Sequence, residues 1–199
     1  MGSIGGKRRV RAALACAGLA ALAVTAAPAA ANAATSLPDA GGVKPGHGHP
    51  HFTLPEGAPK PTVPARIQSA YKVVKGTQTY TCAADGTWGT ASTPEAQLVQ
   101  YDGRGRIHHY AGPRWTARDG STILGKNDTT AAVPQPGTIA WLRLDVVAHE
   151  NTKPGELDKV TWISRVNTTG GAVPTGACTA GETKAVPYGA DYVFWVPKK

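Results

Sequence analysis

The segment Thr138–Ala148 constrains the fold more than any other stretch of this chain. Leu142, Leu144, Val146 and Ala148 fall on alternate positions, with Trp141, Arg143, Asp145, Val147 and His149 between and beside them. Successive side chains of an extended chain point to opposite faces, so this pattern makes one apolar face and one mixed face, as in a strand packed on a core from one side. Gly76–Ala83, Ala96–Tyr101, Arg106–Ala111, Arg114–Ala117, Thr122–Gly125, Lys159–Val166 and Asp191–Val196 have the same short, Val/Thr/Tyr/Trp-rich character between Gly, Pro, Asp and Asn. No segment holds a helical period over three turns, although Thr93–Leu98 suits one short helical turn. Asp85-Gly86, Asp102-Gly103 and Asp119-Gly120 are tight-turn dipeptides, because glycine accepts positive φ at little cost. The expectation is an all-β fold: a single-domain antiparallel sandwich or barrel of about eight strands over residues 65–199.

The chain before this domain reads differently. Lys7, Arg8, Arg9 and Arg11 precede an Ala/Leu/Val run from Ala12 to Ala27 and then Ala31-Asn32-Ala33, which is the order of a secretory signal peptide over residues 1–33. The apolar run is about 16 residues, short of the roughly 20 that a spanning helix needs, so no transmembrane anchor is expected. Residues 34–64 are interrupted by Pro38, Pro45, Pro50, Pro55, Pro59, Pro61 and Pro64 among Gly and His, and read as a flexible, disordered lead-in. His47, His49 and His51 stand at alternate positions there, without the second-shell partners of a preorganised metal site, so no metal is assigned.

Export changes the charge and the cysteine arithmetic. The leader carries four of the 21 basic residues and no acidic one, so its removal lowers the net charge from +8 to +4. The remaining cations are scattered, which argues against nucleic-acid binding. Cys16 leaves with the leader, and Cys82 and Cys178 most simply form one disulfide in an oxidising compartment. Such a bridge, closing a loop of about 100 residues, is worth roughly 4 to 5 kcal/mol in the chain-entropy picture.

The densest group of chemically capable residues is His108–Ser121. On a strand His108 and His109 point to opposite faces, so one of them is expected to face the core and hydrogen-bond a neighbour. His109, Arg114, Trp115 and Asp119, with Trp141, form the candidate ligand-binding set, and Trp115 and Trp141 are the indoles expected to be exposed, as platforms for sugar rings or peptides. Catalytic templates are missing: there is no Gly-x-Ser-x-Gly elbow, His-Glu-x-x-His pair or Cys/His cluster. Glu95, Asp119, Asp145 and Glu150 are the carboxylates from which a hydrolytic pair would be drawn.

Gly76-Thr-Gln-Thr-Tyr-Thr-Cys82, Pro94-Glu95-Ala96-x-Leu98, His109-Tyr-Ala-Gly-Pro-Arg-Trp115, Asp119-Gly-Ser121, Ile139-Ala-Trp-Leu142, Val160-Thr-Trp-Ile-Ser-Arg165, Thr169-Gly-Gly171, Cys178 and Pro187-Tyr-Gly-Ala-Asp-Tyr192 together resemble the domain-of-unknown-function 3455 family, secreted proteins of bacteria and fungi. The resemblance runs from about Ile67 to Val196. It implies secretion and brings no activity with it. A malate dehydrogenase label carried by some fungal relatives has no support in this sequence, which lacks a Gly-x-Gly-x-x-Gly between strand and helix and any βα alternation.

The reading that follows is a secreted, monomeric, disulfide-stapled β module without a cofactor, binding an extracellular or cell-envelope ligand such as a glycan through His109, Arg114, Trp115, Asp119 and Trp141. The alternatives are an extracellular hydrolase using carboxylate or His residues, and a secreted interaction or inhibitor protein.

Overall fold

The computed structural model describes residues 52–150 and 154–199. The leader expected at 1–33, the first part of the expected lead-in and the His47, His49, His51 run lie outside the described residues. The strands are β1 (Ala65–Cys82), β2 (Trp88–Gln100), β3 (Arg106–Tyr110), β4 (Arg114–Ala117), β5 (Thr122–Val133), β6 (Trp141–His149), β7 (Trp162–Gly170) and β8 (Thr183–Pro197). Each pairs antiparallel with the next, and β8 returns to pair antiparallel with β1, closing an up-and-down barrel. Of the two architectures open to the sequence, this is the barrel. Among the described residues no helix is present, and none is long and apolar enough to cross a membrane.

Thr93–Leu98 is not a helical turn but part of β2, where Pro94 stands opposite Gln78 of β1. The β2–β3 ladder ends at Ala96 opposite His109, so β2 is an edge at Pro94 and the missing amide hydrogen removes no ladder bond on that side. β1 and β8 run much longer than alternation alone indicates. The reason is burial on both faces: Tyr71 and Phe194 point into the barrel, while Ala70, Val193 and Trp195 belong to a cluster on its outside. A strand covered on both sides has no polar face to alternate with.

That outer cover is the end of the lead-in. Phe52, Leu54 and Ala58 pack against Val193 and Trp195, Ser164 Oγ donates to the Pro59 carbonyl at 2.6 Å, and Trp195 Nε1 donates to Ser164 Oγ at 2.9 Å. Among the described residues, contacts with the barrel thus include Phe52, Leu54, Ala58 and Pro59, ahead of the boundary at Ala65 that proline content suggests. Trp141 and Trp162 lie against the same outer cluster.

The interior divides into two halves. At the end where β1 and β3 begin and β2 and β8 finish, Tyr71, Leu98, Ile107, Ile123, Ile163 and Phe194 fill the barrel, with Tyr71 and Phe194 edge to face at 5.5 Å. The β6–β7 connection closes this end with Leu157 and Val160, both fully buried. Asp119 and Ser121 hold it there: Asp119 accepts from Ser121 N (2.9 Å), Ser121 Oγ (2.7 Å) and Glu156 N (2.6 Å), and Ser121 Oγ accepts from Leu157 N (3.1 Å). Tyr71 donates its hydroxyl to Glu156, whose carboxyl is raised above its ordinary range chiefly by burial.

At the other end Cys82, the last residue of β1, is bonded to Cys178 in the β7–β8 connection, with Cα atoms 5.9 Å apart and a separation of 96 positions in sequence. Cys82 N also donates to Glu182 O (2.8 Å) and Gly181 N to Cys82 O (3.0 Å), so this connection is fastened to the barrel at several atoms. Replacing Cys82 and Cys178 together by Ser is expected to lower the unfolding free energy by about 4 kcal/mol, the loop-closure entropy the bridge removes from the unfolded chain. Urea unfolding of the oxidised protein and the double variant measures this, and a difference under about 1 kcal/mol would show that the bridge does not restrain the unfolded chain.

Candidate functional site

β3 and β4 are the short strands of the barrel. The β4–β5 ladder ends with Arg114 opposite Leu124, yet β5 continues to Val133, and β2 extends past β3 to Trp88. The turn between β3 and β4 is therefore a low point in the wall, flanked by residues 90–94 of β2 and by Asn127 of β5. Beneath it lies a cavity of about 600 Å³ that occupies the upper half of the barrel. This is within the size range of small-molecule pockets, and an eight-stranded barrel is just wide enough to hold one small ligand.

Strand periodicity decides which side chains reach the cavity. Inward positions below are apolar, but one step further along each strand they become polar: Gln78 and Tyr80 on β1, His109 on β3, Arg165 on β7 and Tyr192 on β8. Leu142 and Leu144 of β6, with Ile139 and Ala140 just before it, supply an apolar wall. Arg165 is the only charged residue of the lining, in which no Asp or Glu takes part.

His109 and Trp115 form the floor. Their rings stack with centroids 4.2 Å apart and planes 5° from parallel, and Tyr192 meets both edge-on. Trp115 fits because position 125 is glycine: a Cβ there would stand 2.8 Å from Trp115 Cζ3. His109 Nδ1 donates to the Arg114 carbonyl at 2.8 Å, which makes Nε2 the acceptor nitrogen of the neutral ring. Burial, aided by the nearby Arg165 charge, outweighs that hydrogen bond and pushes the imidazole down to about 3. His109 is thus a fixed, uncharged acceptor at neutral pH.

Two donors in the lining have no hydrogen-bond partner among the described residues: Gln78 Nε2 and Trp115 Nε1. Gln78 is 2% exposed and Trp115 fully buried. Gln78 Oε1 accepts from Ser92 Oγ at 2.7 Å, which fixes the direction of its amide. Buried donors left unpaired cost about 1 to 3 kcal/mol each, so they are uncommon in folded proteins. Arg165 is held by Nε and Nη2, which donate to Ala140 O at 3.1 and 2.8 Å.

The structure brings together two of the five residues selected from sequence. His109 and Trp115 line the cavity, but Trp115 is fully buried rather than exposed. Arg114 faces outward and makes a two-point ion pair with Glu150, at 2.8 and 3.0 Å. Asp119 sits at the closed end of the barrel, binding the β6–β7 connection. Trp141 is half-buried on the outer surface. Proximity in sequence misled here, since Arg114 and Trp115 are neighbours on a strand and so face opposite ways. His108 likewise turns outward, where its Nε2 lies 2.6 Å from Glu95. Gln78, Arg165 and Tyr192 escaped the sequence reading because they are distant in the chain, although each falls within a motif of the resemblance.

A His whose folded value lies below its unfolded value near 6.5 adds stability that is present above that value and is lost as pH falls from there toward 3. Ring nitrogen chemical shifts should therefore show His109 neutral, with the proton on Nδ1, throughout the range from about pH 5 to 8. A titration midpoint near 6.5 would contradict the sealed environment assigned to it.

No curated protein and no solved structure matches this chain. A family model does, over residues 64–196, which spans the barrel from its first strand almost to the end of its last. The chain accordingly belongs to the family described as protein of unknown function DUF3455.

Proposed function

We propose that this protein is a secreted binding module that takes a small organic molecule into the upper half of its barrel. The observation that carries the reading is the coincidence of a cavity of about 600 Å³ with two buried, unpaired donors, Gln78 Nε2 and Trp115 Nε1, in its lining. An interior built for stability alone would be filled with apolar side chains, as most of the opposite half is. A ligand that is polar at one end and apolar at the other suits both the polar part of this lining and the wall of Ile139, Ala140, Leu142 and Leu144.

Binding fits better than hydrolysis. Glu95 pairs with His108, Glu150 with Arg114 and Asp145 with Arg143, while Asp119 is tied to the β6–β7 connection, and none of the four lines the cavity. His109 at about 3 is poorly matched to proton transfer near neutral pH. A compact ligand also fits better than an extended glycan laid on exposed indoles, because Trp115 is stacked beneath His109 and Trp141 is committed to the outer cluster.

The test uses naphthalene-2-carboxamide and naphthalene-2-carboxylate as probes, followed by tryptophan fluorescence of the protein. Saturable binding of at least one is expected, weakened tenfold or more, about 1.4 kcal/mol, by Ala140→Trp, which fills the cavity. Circular dichroism confirms that the variant is folded. Failure of both probes, or equal binding by the filled variant, would remove the cavity from consideration. Export is checked separately: mass spectrometry of the culture supernatant should find a chain beginning at Ala34, and retention of the intact leader on a cell-bound chain would contradict secretion.

A further inference from the structure

The charge of the cavity points to the class of ligand. Arg165 enters from β7, opposite Leu142 of β6 and Tyr192 of β8. Its guanidinium lies close enough to His109, Tyr188 and Tyr192 for its charge to act on all three. Among the described residues no carboxylate forms an ion pair with it; Glu95, Glu150, Asp128 and Asp145 pair instead with His108, Arg114 and Arg143. A guanidinium has five N–H donors, and the contact with Ala140 O uses the Nε hydrogen and one on Nη2, so donors remain for a ligand.

The neutral groups reinforce this polarity. Gln78 Nε2 and Trp115 Nε1 are both donors, both nine-tenths or more buried and both without partners among the described residues. The neighbouring acceptor, His109 Nε2, belongs to a ring that is neutral and carries no balancing negative charge. One cation therefore belongs to a lining that contains no acid, and the two unpaired donors lie buried on residues of that lining.

We infer that the ligand of the barrel is a small apolar monocarboxylate, its carboxylate seated on Arg165 and its hydrocarbon body against Ile139, Leu142 and Leu144. The inference rests on the cavity reading above and adds the charge of the occupant. A single charge is specified because the lining offers a single cation; the second charge of a phosphate or phosphonate would be buried without a partner. A carboxylate accepts from a guanidinium edge and from amide or indole N–H groups by charge-assisted hydrogen bonds, which are about twice as strong as neutral ones.

Naphthalene-2-carboxylate, its isosteric neutral carboxamide and naphthalene-2-phosphonate separate the possibilities when titrated into the full chain by calorimetry. The carboxylate is expected to bind at least about tenfold more tightly than the carboxamide, and the phosphonate more weakly than the carboxylate. In Arg165→Gln the carboxylate preference should fall to within about twofold while carboxamide binding persists, and Arg165→Lys should retain part of it. Equal affinity of carboxylate and carboxamide for the natural protein overturns the charge assignment but leaves the cavity as a binding site. Failure of every probe overturns both. The comparison within the natural protein stands even if Arg165→Gln does not fold.

Discussion

The ladder between β1 and β8 is the constraint on which the rest of the molecule depends. It runs from Ala65 opposite Pro197 to Thr81 opposite Thr183, joining the two ends of the described domain. Without it the eight strands would form an open meander with two unpaired edges and no enclosed volume. Closing it orders most of the chain at once, an entropic demand that local turns do not share. Irregularities between Ile67 and Ser69 and between Lys72 and Thr77 let β1 curve along β8, as barrel closure requires. The disulfide lies at the Thr81–Thr183 end of this ladder and the segment from Phe52 covers its outer face. Both features therefore reinforce the same seam.

Closure also creates the division of the interior. Because strands alternate in direction, the inward positions at one end come from the beginnings of odd strands and the ends of even ones. Those positions hold Tyr71, Ile107, Ile123 and Ile163, with Leu98 and Phe194 from the even strands. At the opposite end the same alternation delivers Gln78, Tyr80, His109 and Arg165. A barrel stabilised only by burial would be apolar throughout. The polar half holds hydrogen-bonding capacity that no backbone or side chain among the described residues answers, at Gln78 Nε2 and Trp115 Nε1. The apolar half, closed by Leu157 and Val160, is the rigid base that holds those groups in place.

Much of the fold was legible in the residues. Every strand candidate falls within or overlaps an observed strand, and the three Asp-Gly dipeptides occupy the turns of β1–β2, β2–β3 and β4–β5, with Gly86, Gly103 and Gly120 at positive φ. The opposed directions of His108 and His109 follow from the period of two. Strand lengths were less legible, because double-sided burial of β1 and β8 erases the alternation that marks a strand. The site was half legible. His109 and Trp115 stood out as chemically capable residues in one motif, but Arg114 and Asp119 were grouped with them by closeness in the chain, and closeness in a strand says nothing about facing the same side.

The sequence by itself determined the all-β class, the turns, and the face of each strand on which a residue sits, since these follow from backbone geometry over a few residues. Tertiary structure alone decided that the sheet closes into a barrel and that Arg165, Gln78, His109 and Tyr192 meet above a tryptophan. The physical reason is that periodicity fixes the direction of a side chain but not its neighbours. Those depend on which strands pair and in what register, and here that depends on a contact between the first strand and the last.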